Sequence, residues 1–153
     1  MRILATAFLL FLMPNLSVAE EVLLTFQHQD DIVELQMTDL QEMGETEITT
    51  TTIWTEGKQS FVGVSLYDFL EEYGVSDGEL VATAINDYEI TIPVEDAVEG
   101  GPIIAYLRNG EPMSVRDKGP LWIVYPYDSD VRFQTEVVYS RSIWQLDRLK
   151  TME

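Results

Sequence analysis

Phe61-Val62-Gly63-Val64-Ser65-Leu66-Tyr67-Asp68-Phe69-Leu70 changes its hydrophobic period at the serine. Residues 61–64 form a short apolar run of the kind that makes a strand. From there Leu66, Phe69 and Leu70 recur at helical spacing and make one apolar stripe. Ser65 is placed to cap that helix, with Asp68 three residues on completing a capping box. Gly74 follows the last apolar position and supplies the left-handed residue that ends a helix.

Outward from this segment the chain reads as short strands and tight turns. Upstream, residues 45–54 are rich in β-branched side chains, with threonines at 49–52, and predict a strand. Residues 22–27 and 32–37 flank the polar His28-Gln29-Asp30-Asp31 and predict an opening hairpin. Thr38 is placed to cap a short helix through Met43 that Gly44 ends. Downstream, strands are predicted at 79–85, 89–92, 102–108 and 121–125, with a helical turn at 94–98. Asn86-Asp87-Tyr88 fills a turn, and Asn109-Gly110 is a hairpin signal. Residues 142–149 alternate apolar and polar and predict a closing strand with one wet face. No repeat, low-complexity tract or linker interrupts the pattern. The expected architecture is one α+β domain, mostly β, over residues 20–153.

The 153 residues carry 9 Lys and Arg against 27 Asp and Glu, a net charge of −18. Such a chain has no general grip on nucleic acid, which needs clustered cations on the phosphates. Nor would it adhere directly to an anionic membrane surface. There is no cysteine and one histidine, His28. Thiolate metal ligands, iron–sulfur clusters, disulfides and thiol nucleophiles are thereby excluded, and a histidine metal site or general base is disfavoured. Charge is also unevenly placed. Residues 20–100 hold 20 acids and a single base, Lys58, whereas residues 101–153 hold seven of each sign. The acidic part reads as a solvated surface, and the cations of the last third are candidates for a ligand or for neighbouring carboxylates.

The first residues read as a targeting segment. Arg2 precedes an apolar run at 3–13, Pro14 ends it, and Ser17-Val18-Ala19 offers small residues to a signal peptidase. The run is shorter than the ~20 residues of a membrane span. A signal peptide at 1–19, cleaved after Ala19, implies work outside the cytoplasm, with burial alone stabilising a cysteine-free domain.

Few residues can do chemistry. No nucleophile elbow, phosphate loop or dinucleotide fingerprint is present. Ser65 is accounted for by capping, His28 by a polar turn, and no calcium-loop spacing occurs. What remains is polar and aromatic residues at loop positions. Arg116, Asp117 and Lys118 precede Gly119-Pro120-Leu121-Trp122. Arg141 and Trp144 lie together in Tyr139-Ser140-Arg141-Ser142-Ile143-Trp144. Trp54 is flanked by Thr52 and Thr55, and Asn86, Asp87 and Tyr88 share a turn. Flat rings, fork-shaped donors and carboxylates suit a planar, polar heterocycle. The opposing reading is that the tryptophans are core and the loop charges pair with one another.

Several of these segments also resemble a family. Residues 61–70 are similar to the W-x-G-V-x-L-x-x-L-L run of sulfite-oxidase-type molybdopterin-binding domains, and Asn86-Asp87-Tyr88 stands where that family has D-G-Y. Asn109-Gly110-Glu111-Pro112-Met113 resembles N-G-E-P-L, Gly119-Pro120-Leu121-Trp122-Ile123-Val124-Tyr125-Pro126 resembles G-x-P-L-R-L-V-V-P, and Ile143-Trp144-Gln145-Leu146 resembles the closing K-W-L. The departures matter as much. The enzymes' molybdenum-binding cysteine falls in Thr49-Thr50-Thr51-Thr52-Ile53-Trp54, the family's cofactor-contacting arginine is Trp122, and the histidine before it is missing, with Asp117 or Lys118 near its place.

The resemblance implies the small, single-domain version of that fold holding a pterin without molybdenum. A closer likeness, through Arg-Asp-Lys-Gly-Pro-Leu-Trp and Arg-Ser-Ile-Trp-Gln-Leu, is to periplasmic pterin-binding regulatory proteins. It implies a non-catalytic protein whose partner is a membrane diguanylate cyclase–phosphodiesterase or related sensor with a periplasmic domain. The ring would lie on Trp54 or Trp144. Asp87 or Asp117 would accept from it, and Arg116, Lys118, Arg141 or Asn86 would donate, with Thr52, Tyr88 and Trp122 alongside. The alternative is a molybdenum-cofactor-dependent oxidoreductase subunit, against which the missing cysteine counts.

Overall fold

The computed structural model describes residues 21–152. The predicted signal peptide at 1–19 lies outside the described residues. The opening hairpin is β1 (Leu24–His28) with β2 (Asp31–Leu35), and α1 (Met37–Glu42) follows. Its cap is Gln36, not Thr38. The Gln36 N–H donates to Asp39 Oδ2 at 2.7 Å, so the helix starts earlier than the threonine suggested.

The threonine strand β3 (Thr46–Thr51) pairs antiparallel with β4 (Lys58–Ser65). It stops short of Trp54, because the Thr51 N–H and hydroxyl both bond to Asp128 and residues 52–57 turn back. β4 runs straight into α2 (Leu66–Glu72). Ser65 Oγ accepts from the Asp68 N–H at 3.4 Å, and Leu66, Phe69 and Leu70 are buried, as their spacing predicted. Gly63 has a separate reason to be glycine. A Cβ there would lie 2.0 Å from the Ile104 carbonyl oxygen, at a bulge where β4 meets its next neighbour.

β5 (Glu79–Ala84) and β6 (Glu89–Pro93) form a second hairpin around the 85–88 turn. β7 (Ile103–Arg108) turns at Asn109-Gly110, both with positive φ, into the short β8 (Glu111–Pro112). β9 (Leu121–Val124) is buried throughout. A helix that the sequence reading missed, α3 (Glu136–Arg141), precedes β10 (Trp144–Met152), which starts two residues later and ends three later than expected. Thr135 caps α3, its Oγ1 accepting from the Val138 N–H at 3.2 Å.

The sheet order is β2-β1-β10-β9-β7-β4-β3, with β5 and β6 branching from β10. β10 is therefore the junction. It pairs parallel with β1 and antiparallel with β9 and β5; the β9 ladder shifts register between Trp144 and Leu146, and the β5 ladder between Leu146 and Arg148. The β9 shift is centred on Gln145, whose φ is +53°. The core runs along the sheet's middle strands through Phe61, Ile104, Tyr106, Trp122 and Leu146, all fully buried. The fold is a mostly β single domain.

Candidate functional site

Three connections end at the same place. The 52–57 turn carries Trp54, the 85–88 turn carries Asn86 and Tyr88, and the link from α3 into β10 carries Ser142 and Trp144. Between them lies a cavity of about 450 Å³, also bounded by Ala84, Tyr139, Ser140, Ile143 and Gln145. No charged residue lines it.

Its aromatic wall is built edge to face. Trp54 stands among four rings, with centroids 5.5 Å from Trp144, 5.8 Å from Trp122, 5.9 Å from Tyr139 and 6.2 Å from Tyr127. Edge-to-face contacts align a ring's positive rim with a neighbour's negative face and hold the rings at fixed angles. Trp54 is also tethered by its backbone, its N–H donating to Thr52 Oγ1 at 3.1 Å. Trp144 is braced by Lys118, whose ammonium sits 4.9 Å from the indole centroid.

Beneath this wall is a buried polar hub. Ser142 Oγ accepts from the Tyr127 hydroxyl at 2.6 Å and donates to the Val138 carbonyl at 2.9 Å, while the Ser142 carbonyl accepts from Trp122 Nε1 at 3.1 Å. Burial pushes the Tyr127 phenol up to about 12, against the opposing pull of its bond to Ser142. Gln145 ties the surrounding loops together. Its side chain donates to the Val115 carbonyl, its N–H to the Lys118 carbonyl, and its carbonyl accepts from the Ile85 N–H.

The site residues expected from sequence separate into two groups. Trp54, Asn86, Tyr88 and Trp144 line the cavity together. Thr52 lines a neighbouring polar cavity of about 260 Å³ on the other side of Tyr139. The others are otherwise engaged. Trp122 is fully buried and holds the wall from behind, outside the cavity lining. Asp87, on the outer side of its turn with φ +65°, pairs with Arg148 at 2.8 Å. Asp117 pairs with Arg108, and Arg116 is exposed beside it, outside the cavity lining. Arg141 turns away from the cavity and grips Asp96 at 2.9 and 3.1 Å. Asp96 also accepts from Tyr125, whose phenol is raised by burial and by that carboxylate.

Asp87, Asp117 and Arg141 are thus paired within the protein, while the Lys118 ammonium lies over the Trp144 ring. Sequence reasoning passed over Tyr139, Ser142, Ile143 and Gln145 as individual candidates, although it had singled out their segment. Tyr139 was detectable only through α3, which places it on the cavity side.

The profile of the family described as the oxidoreductase molybdopterin binding domain matches residues 15–132. The chain belongs to this family. Among solved structures, the sulfane dehydrogenase SoxCD from Paracoccus pantotrophus is similar in fold, with a TM-score of 0.63 and 19% identity over 84% of this chain. The chain spans 37% of the length of that SoxCD chain. No curated protein matches the sequence. The domain has the sulfite-oxidase-type molybdopterin-binding fold.

Tested against the family's cofactor, the residues fit one half of it. A planar pterin suits the aromatic wall, with neutral donors and acceptors on Asn86, Tyr88, Tyr139 and Gln145 for its edge. A metal centre does not fit. The sequence has no cysteine, and among the described residues no three His, Cys, Asp or Glu groups stand together to hold an ion.

Proposed function

We propose that this protein is a periplasmic, non-catalytic pterin-binding module that reports its ligand to a membrane sensor of the diguanylate cyclase–phosphodiesterase kind. One observation carries the reading. An uncharged, aromatic-walled cavity stands in a molybdopterin-binding fold whose chain has no thiolate to offer. The leader-like residues 1–19 support export. The strongly acidic surface supports a protein partner over bare lipid, and one that presents basic residues.

A pterin would lie along Trp144 or Trp54 and use the amide of Asn86, the Tyr88 and Tyr139 hydroxyls and the Gln145 carbonyl oxygen at its edge. The test is tryptophan fluorescence titrated with oxidised and reduced pterins, alongside elemental analysis. Saturable quenching with no stoichiometric molybdenum is expected. Trp144→Ala should weaken binding up to about tenfold, the ~0.5–1.5 kcal/mol of a lost aromatic contact. About one molybdenum per chain, or no quenching, would sink the reading. For signalling, the immobilised receptor periplasmic domain should bind the pterin-loaded and empty forms with different affinity, because a ligand that both states bind equally shifts nothing.

A further inference from the structure

We propose that the cavity selects phosphate-free, uncharged pterins and rejects their phosphate esters, molybdopterin included. The inference rests on the pterin reading above and specifies its ligand class. A phosphate group buried against protein needs cations or several converging N–H donors, because its hydration is lost on entry. The wall supplies no cation, since none of its ten lining residues is Lys, Arg or His.

Two of the cations near the wall are already paired. Arg148 reaches the Ala84 carbonyl but pairs with both Asp87 and Asp147. Arg141, within the segment that forms the wall, is bound by both Asp96 oxygens on another face. Lys118 has its ammonium over the Trp144 ring and is not among the residues that line the cavity. Two of the four wall hydroxyls are also in use. Ser142 donates to the Val138 carbonyl and Ser140 to the Val137 carbonyl.

The long-range field points the same way. The chain carries −18 overall, and Asp87, 81% exposed, stands on the turn that bears Asn86 and Tyr88. A dianion approaching the mouth meets repulsion that salt screens, whereas a neutral ring meets none.

The experiment is a fluorescence titration with 6-hydroxymethylpterin and with its phosphate ester, at low and high salt, on the wild type and on Ser140→Lys. Ser140 is exposed on α3 and lines the cavity, so the lysine adds a cation at the wall without disturbing the core. The alcohol should bind with an affinity indifferent to salt. The ester should bind at least about tenfold more weakly at low salt, the gap narrowing as salt rises and in Ser140→Lys. Equal or tighter binding of the ester would overturn this inference and leave the pterin reading standing. A weak ester that responds neither to salt nor to Ser140→Lys would show exclusion by shape and overturn the electrostatic account. Failure of both compounds to bind would overturn the pterin reading itself, and this inference with it.

Discussion

Two aromatic clusters use the same chemistry to different ends. Under α2, Phe26, Phe69 and Tyr73 pack with centroids 4.7–5.2 Å apart. Phe26 and Phe69 are buried to 1% exposure or less, and nothing polar holds their rings. At the opposite kind of site, Tyr139 and Trp144 stand 5.9 and 5.5 Å from Trp54, the three rings partly exposed around a void. Those rings are positioned by polar tethers, namely Thr52 on the Trp54 backbone, Lys118 on Trp144 and Ser142 behind them. Where packing alone orients a ring, the space between rings closes. Where hydrogen bonds and loops orient it, a cavity persists.

Phe69→Ala breaks this comparison from the packing side and carries the largest expected effect. A fully buried phenylalanine truncated to alanine costs about 3–5 kcal/mol in transfer and cavity terms. Denaturant unfolding should show that loss. Pterin affinity of the protein that remains folded should be unchanged, because Phe69 touches none of the cavity's lining. A parallel loss of affinity would mean the two clusters are coupled through β4.

Ser142→Ala tests the tethers. The serine is 1% exposed and its hydroxyl joins Tyr127 to the Val138 carbonyl. Its removal leaves a buried phenol without its acceptor, at a cost of about 1–3 kcal/mol. Unlike Phe69→Ala, this change should also lower pterin affinity, since the 142–144 link shapes the wall. Calorimetry and the quenching titration together read both effects. Lost stability with intact affinity would reduce the hub to a packing device.

The legibility of the two clusters from sequence differs for the same reason. The Phe69 cluster sits on regular elements, and the period change at Ser65 displayed it directly. The strands around it were equally plain, down to the Asn109-Gly110 turn. The cavity is assembled from turns and from α3, where periodicity says little. α3 itself was hidden because Val137 and Val138 are β-branched and weak helix formers, while its one strong signal, the Thr135 cap with Glu136 behind it, stands far from any apolar repeat. Among the candidate cations, Arg141 is turned from the cavity for an electrostatic reason. In a chain with three acids for every base, a cation on the surface finds a carboxylate before it finds a ligand, as Arg108, Arg141 and Arg148 do. The bulge at Gln145 has no local sequence signature, because glutamine has no special tolerance for positive φ.

The smallest effect concerns the Tyr127 hydroxyl and sharpens the contrast between a tethered ring and a merely packed one. Tyr127 is 2% exposed, and burial raises its phenol from 10.0 to about 12. The fold therefore favours the neutral, proton-bearing form. A raised folded value means that its stabilising contribution is fully present below pH 10 and is lost as pH rises through about 12. Tyr127→Phe keeps the ring and removes both the hydrogen bond and the titration. At neutral pH the variant should be less stable by about 1 kcal/mol, the net worth of one buried hydrogen bond. Above pH 10 the wild type should lose stability faster than the variant, so the difference between them should shrink. Tyr125, raised by burial and by Asp96, is present in both proteins and is raised only in its smallest part by Tyr127. Urea unfolding at a series of pH values from 7 upward, with tyrosinate absorbance followed in parallel, measures the difference directly. A constant gap across the alkaline range would show that the Tyr127 phenol ionises as freely folded as unfolded, and that Ser142 holds a ring which water already reaches.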